Sequence, residues 1–236
     1  MFNKTDVIVL CGGLGTRLRG LIGSQPKALA LINGRPFLDI CLSHLKKQGI
    51  KKAILAVGYS GDRIKSYCEK SDIIETVFSE EAEPLGTGGA LKKALALTQS
   101  SQVMVLNGDT VCPIDYAKFL KFHIEKDALI SMVVTAKKRA DAGAIKMAAN
   151  NLILEFRDGP ARGNHPFMSA GIYLLARAAA ALMPQEEIFS LEHDFFPKLV
   201  AAGKCFGYLT QSPVIDIGTP ERYQAAQTSI QNFAKH

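Results

Sequence analysis

A chain of 236 residues, 47% apolar and 21% charged, is long enough for one sizeable α/β core and has an ordinary soluble composition. Its net charge of +6 suits small anionic substrates. The basic runs Lys46-Lys47, Lys51-Lys52 and Lys137-Lys138-Arg139 are short, scattered and free of interleaved aromatics, which argues against nucleic acid as a partner. Five cysteines, Cys11, Cys41, Cys68, Cys112 and Cys205, are odd in number and form no CxxC pair, so reduced thiols and a cytoplasmic location are expected.

The first predicted element is a strand near 6–11, whose run Val7-Ile8-Val9-Leu10 reads as buried in a parallel sheet. It is too short for a membrane span and leads straight into a glycine turn, so neither a membrane anchor nor a signal peptide is expected. Gly12, Gly13 and Gly15 let backbone N–H groups approach a ligand closely, and Arg17 and Lys27 add two cations on the same excursion. Strand, glycine turn and cations together suggest a polyphosphate cradle. It is not a P-loop, because Gly15 is followed by Thr16-Arg17. Nor is it a dinucleotide fingerprint, because neither Gly12 nor Gly13 starts the required spacing. A plain strand-to-helix turn would explain the glycines, but it explains Arg17 and Pro26-Lys27 poorly.

Further strands near 52–57, 74–79 and 102–107 alternate with helices near 36–48, 61–69, 87–98 and 115–126, a pattern that implies a parallel sheet covered on both faces. Pro36 fits the first turn of its helix and Gly49 fits the stop. The second half is richer in strands: 128–135, 143–148, 151–156, 167–175, 204–209 and 213–217. Asn150-Asn151 marks a turn, and the polar stretch 158–166 reads as a loop long enough to cover a substrate. A last helix near 219–231 starts at Thr219-Pro220.

The motif Gly12-Gly13-x-Gly15-Thr16-Arg17-Leu18 with Pro26-Lys27 resembles the signature of the sugar-phosphate nucleotidyltransferases, or nucleotide-sugar pyrophosphorylases. Glu83-Pro84-Leu85-Gly86-Thr87-Gly88-Gly89, Leu106-Asn107-Gly108-Asp109 and Asp216-Ile217-Gly218-Thr219-Pro220-Glu221 follow in the family's order, so the resemblance spans about residues 6–224. Within the family the chain is most similar to short guanylyltransferases making GDP-D-glycero-D-manno-heptose, and next to mannose-1-phosphate guanylyltransferases. The resemblance implies an α/β fold with a Rossmann-like, mostly parallel mixed sheet sandwiched by helices, of the GT-A-like nucleotide-diphospho-sugar transferase kind. It implies one domain, with a nucleotide-binding half to about 110, a sugar-binding half from about 111, and no β-helix tail.

The implied reaction joins an NTP to a sugar 1-phosphate with release of pyrophosphate, a step that needs charge neutralisation and alignment more than a covalent nucleophile. By resemblance, Leu10, Gly12, Gly13, Gly15 and Thr16 form the triphosphate turn, Arg17 holds the departing phosphates, and Lys27 stabilises charge at the α-phosphate. Glu81, Gly86, Thr87 and Gly88 would face the base, with Asn107 and Gly108 completing the nucleotide site. A carboxylate at Glu81 accepts from guanine N1–H and N2–H₂ as a pair, which favours GTP; alternatively Glu81 is solvated and backbone groups near Gly86 read the base.

The family's metal motifs put Asp109 and Asp216 on Mg²⁺, against the plainer roles of a turn aspartate and a helix-terminus aspartate. The sugar end departs from the pattern. Relatives carry Glu-Lys after a Phe where this chain has Phe156-Arg157-Asp158-Gly159, and Asn where it has Ser169 before Ala170-Gly171. Arg157, Asp158, Ser169 and Gly171 are the expected sugar-phosphate contacts, with Arg157 or Arg162 replacing the lysine unless both are surface charges. Mannose 1-phosphate, or N-acetylmuramate 1-phosphate with UTP, are the alternative substrates. A catalytically dead sensing subunit is disfavoured because Arg17, Lys27, Asp109 and Asp216 are all present. Homo-oligomerisation leaves no clear mark at this level.

Overall fold

The computed structural model describes residues 5–13, 15–136, 143–159 and 165–233. The run Lys137-Lys138-Arg139, Arg162 and most of the predicted 158–166 loop lie outside the described residues. Strand β1 (Thr5–Leu10) opens the chain, followed by a 3₁₀ turn at Thr16–Leu18, a short α1 (Arg19–Ile22) and a second 3₁₀ turn at Lys27–Leu29. A small hairpin of β2 (Leu31–Ile32) and β3 (Arg35–Pro36) leads into α2 (Phe37–Lys47). Pro36 stands one residue before that helix rather than in its first turn, and Gly49 follows its end at φ 83°.

Alternation then continues as β4 (Lys52–Val57), α3 (Gly61–Cys68), β5 (Glu75–Glu80), α4 (Gly86–Leu95) and β6 (Gln102–Asn107). The remainder contains β7 (Thr110–Val111), α5 (Tyr116–Glu125), β8 (Ile130–Thr135), β9 (Ala144–Met147), β10 (Ile153–Arg157) and β11 (Phe167–Ala176). A π turn at Leu191–Phe195 runs into α6 (Phe196–Ala201), a helical stretch the sequence pattern does not announce. β12 (Cys205–Thr210), β13 (Ile215–Asp216) and α7 (Pro220–Phe233) complete the described chain.

Nine of these strands form one mixed sheet among the described residues, in the order β10-β9-β11-β6-β1-β4-β5, with β8 pairing both β11 and β12. The run β6-β1-β4-β5 is parallel, as expected of Val/Ile/Leu-rich strands buried on both faces. β11 joins it antiparallel to β6 and carries the second half of the chain into the same sheet. One face is covered by α2, α3 and α5 through Leu38, Leu42, Ile64, Tyr116 and Phe119. The other is covered by α4 and α6 through Leu91, Ala94, Phe196 and Leu199. α7 packs on β13 and the outer side of α2 around Ile40, Ile217 and Ala226.

All five cysteines are buried and unbridged. Burial pushes the Cys11 thiol up to about 12, so beside the glycine turn it is a packed side chain rather than a nucleophile. No helix among the described residues is long and apolar enough to cross a membrane.

His123 of α5 sits 1% exposed between Gln102 and Ser131. Its Nε2 lies 2.8 Å from Gln102 Oε1, to which it donates, and its Nδ1 lies 2.9 Å from the Ser131 hydroxyl, from which a neutral ring accepts. Burial lowers its pKa to about 4 from an ordinary 6.5, and burial also lowers His44 to about 4. Below 6.5 the unfolded chain therefore binds protons the folded one refuses. Stability falls as pH drops from 6.5 toward 4, by roughly 1.4 kcal/mol per pH unit for each histidine. Urea melts at pH 6.5 and 5 measure this slope, and His123→Gln should flatten it; an unchanged slope would remove His123 from the acid response.

Candidate active site

Two cavities adjoin at the carboxyl ends of β1 and β6. The first, about 280 Å³, is walled entirely by residues between Leu10 and Asp109. The glycine turn after β1 forms one side. A Cβ on Gly12 would stand 2.5 Å from Glu81 Oε1, so a side chain there would push the Glu81 carboxylate out of its present position. Glu81 follows β5 and its Oε2 accepts the Leu85 N–H at 3.0 Å, which shapes the loop before α4. Burial raises the Glu81 pKa above its ordinary value, although the Leu85 N–H and Lys93 pull it down.

Lys27 begins the second 3₁₀ turn, which is anchored by the buried side chains of Ala28 and Leu29. Its ammonium pairs with Asp109, and each of the two side chains is 19% exposed. Burial favours a neutral Asp109, but the Lys27 ammonium and the Thr110 hydroxyl outweigh it and hold the pKa below the usual carboxylate range.

The second cavity, about 180 Å³, shares Asn107 and Asp109 with the first. Pairing of β7 with β13 sets Thr110 opposite Asp216. The Thr110 hydroxyl lies 3.1 Å from Asp109 Oδ1 and 3.5 Å from Asp216 Oδ2, so two carboxylates from distant parts of the chain converge. Asp216 Oδ1 accepts the Gly218 N–H at 2.7 Å and pairs with Arg222 Nη1 at 2.9 Å. Opposite, the pairing of β11 with β8 shifts register between Ser169 and Tyr173, where Gly171 takes φ 71°. This bulge turns Ser169 and Gly171 onto the cavity wall.

The carboxylate of Glu192, on the π turn, also reaches this wall. Its Oε2 accepts from the Thr87 hydroxyl at 2.8 Å and the Ser190 hydroxyl at 3.0 Å. His193 Nε2 lies 2.7 Å from Asp158 Oδ2, closing the same side.

A strand edge carrying a glycine turn, a half-buried Lys–Asp pair and two converging carboxylates suits polyanion chemistry, and the model of the nucleotidyl transferase family matches residues 6–232. The chain belongs to the nucleotidyl transferase family. It is 33% identical over 231 residues to the D-glycero-alpha-D-manno-heptose 1-phosphate guanylyltransferase of Aneurinibacillus thermoaerophilus, covering 97% of this chain and 99% of that one. The enzyme of the same name from Campylobacter jejuni is 38% identical over 219 residues, covering 92% and 96%. The crystal structure of HddC from Yersinia pseudotuberculosis complexed with GMP-PN is similar with a TM-score of 0.82, at 33% identity and coverage of 95% and 99%. The fold is that of the nucleotide-diphospho-sugar transferases.

Of the nucleotidyl transferase residues expected from sequence, Leu10, Gly12, Gly13, Lys27, Glu81, Gly86, Thr87, Asn107, Gly108 and Asp109 line the first cavity. Arg17, Asn107, Asp109, Asp158, Ser169, Gly171 and Asp216 line the second. Gly15, Thr16, Gly88 and Arg157 line neither.

The departures have physical causes. The Gly88 N–H donates to the Phe189 carbonyl at 2.9 Å, so the close approach its missing side chain permits is to the chain's own 187–189 segment, not to a base. Arg157 lies on β10 between Phe156 and Asp158, both of which line the cavity. Alternation sends its own side chain the other way, 66% exposed and 3.7 Å from Glu155. Gly15, at φ 60°, packs its backbone against Lys27. Arg222 and Glu192 were not expected from sequence. For Arg222 a signal existed, since it falls one turn into a helix whose start the Thr219-Pro220 pair marks.

Proposed function

We propose that this chain transfers a guanylyl group from GTP to a sugar 1-phosphate, with D-glycero-α-D-manno-heptose 1-phosphate the first-choice acceptor, in the cytoplasm. The observation that carries this reading is a pair of adjoining cavities with Asp109, the partner of Lys27, on their common wall. The first half of the chain supplies the nucleotide cavity. The second cavity, built mainly by residues from 143 onward, would take the sugar phosphate. The names of the relatives support the acceptor assignment, and the GMP-PN complex of HddC supports a guanine nucleotide.

In this reading a phosphate oxygen of the acceptor attacks the α-phosphorus of GTP. The new P–O bond forms as the bond to the β-phosphate oxygen breaks, and pyrophosphate leaves with that electron pair. Gly12 and Gly13 offer backbone N–H groups to the triphosphate, Lys27 meets the charge growing on the α-phosphate, and Arg17 meets the leaving group. Thr110 donates to Asp109 and stands 3.5 Å from Asp216, between the two carboxylates. Two hard carboxylates, completed by phosphate oxygens and water, fit Mg²⁺, which would neutralise phosphate charge when bound. Asp109 and Asp216 would hold it.

A panel of NTPs and sugar 1-phosphates, assayed for pyrophosphate release, tests the proposal. GTP should be used best, UTP or dTTP far behind, and ATP and CTP least. Glu81→Gln sharpens the test, because glutamine keeps an oxygen for the Leu85 N–H and so preserves the loop. Loss of the charged acceptor should weaken GTP use by about 10- to 150-fold, the equivalent of ~1.5–3 kcal/mol, and leave UTP nearly unchanged. A preference for UTP or CTP in the wild type, or an unaltered GTP preference in the variant, would show that Glu81 does not read guanine.

A further inference from the structure

An acceptor carrying a phosphate needs a cation in the second cavity. Arg157 faces away from the cavity, and Arg162 lies outside the described residues. Most charged side chains on the wall are acidic: Asp109, Asp158, Glu192 and Asp216. Such a wall suits sugar hydroxyls, which can donate to carboxylates, but it would repel a phosphate dianion. Among the described residues the cavity has two cationic side chains, Arg17 and Arg222.

Both reach the same spot. A Cβ placed on Gly218 would lie 3.7 Å from Arg17 Nη2 and 3.7 Å from Arg222 Nη2, so the two guanidinium groups flank this glycine. Arg17 arrives on the exposed turn after the glycine motif. Arg222 arrives from the first turn of α7, 23% exposed, with Nε donating to the Thr219 hydroxyl at 3.2 Å and Nη1 held by Asp216 at 2.9 Å. A guanidinium fixed at two of its nitrogens keeps a planar edge at a defined angle, the geometry that binds a phosphate through two oxygens.

We infer that Arg222 binds the phosphate of the acceptor sugar. This deepens the proposed function and rests on its assignment of the second cavity. Arg222 and Lys27 then act alike. Each rests on a carboxylate of the site, Asp216 or Asp109, and each is directed to phosphate once that carboxylate has another cation to face.

The test is steady-state kinetics on the full chain with Arg222→Gln and Arg222→Lys, using mannose 1-phosphate and the heptose 1-phosphate as acceptors. Arg222→Gln should raise the acceptor KM by about 10- to 150-fold, the loss of one charge-assisted contact, with the GTP KM within about twofold of wild type. Arg222→Lys should fall between, since lysine restores the charge without the planar fork. The lysine variant also carries the test if the glutamine variant does not fold.

Two outcomes would overturn the inference. A shifted Mg²⁺ midpoint with an unchanged acceptor KM would make Arg222 a positioning residue for Asp216. A raised pyrophosphate KM in the reverse reaction, with an unchanged acceptor KM, would assign it to the leaving group. Failure of the underlying reading looks different: the wild type would release no pyrophosphate with any sugar 1-phosphate.

Discussion

Lys27→Ala should turn over roughly 100- to 1000-fold more slowly than wild type, the ~2.7–4 kcal/mol that one charged transition-state stabiliser contributes. Arg17→Ala should lose activity on the same scale. The two variants differ in what happens to the fold. Arg17 sits on an exposed turn, and its removal leaves the packing intact. Lys27 is the partner of a largely buried carboxylate, and its removal leaves Asp109 charged and poorly solvated. Lys27→Ala should therefore melt lower than wild type in EDTA and regain part of the difference in Mg²⁺, which gives Asp109 another cation to face. Circular-dichroism melts with and without Mg²⁺, beside turnover at saturating substrates, measure both effects. Near-normal turnover in a folded Lys27→Ala protein would remove the lysine from the mechanism.

Activity should vanish in EDTA and return with Mg²⁺, and Asp109→Asn and Asp216→Asn should each raise the Mg²⁺ requirement sharply. Asparagine keeps the shape of the side chain and loses the charge a hard cation wants. Outer-sphere changes already cost metal sites about 10- to 100-fold in affinity, so loss of a direct oxygen ligand should shift the midpoint at least that far. Calorimetric titration of Mg²⁺ into the protein with a non-hydrolysable GTP analogue gives a readout independent of turnover. Each variant also releases a cation, Lys27 in one case and Arg222 in the other, so both should melt below wild type without metal. If either shows wild-type magnesium dependence, that aspartate organises the loop and does nothing more.

Legibility of the fold in the sequence followed local physics. β1, β4 and β6 are apolar runs bounded by turn residues, and their expected limits agree with the observed ones to within a residue. The predicted strand 213–217 shrinks to Ile215–Asp216, because its partner β7 is only two residues long. The helical stretch 191–201 went unseen because its Phe195-Phe196-Pro197 run has no clean helical period and a proline near its start.

At the site, motifs contiguous in sequence were readable, and contacts made by tertiary packing were not. Gly12, Lys27, Asp109 and Asp216, each read from a contiguous motif, all line the two adjoining cavities. Gly88 resembles a ligand-facing glycine until Phe189, about a hundred residues later, occupies its N–H. Arg157 was within reach, since period-two alternation from Phe156 already points it outward. Arg222 went unread although Thr219-Pro220 marks the start of its helix, and the ion pair with Asp216 is what places it at the site.

The capping of α4 by the Phe189 carbonyl has a consequence for how the chain is made. The N–H groups of Gly88 and Gly89 receive their acceptor from a segment synthesised long after the helix itself, and Thr87 likewise waits for Leu191 and Glu192. The free edge of β6 stays uncovered until β11 emerges. The glycine-turn half, cut away from the rest, should therefore be unstable as a free-standing module. Released early, it would present a bare strand edge and an uncapped helix start to its neighbours on the ribosome, the kind of surface on which nascent chains aggregate.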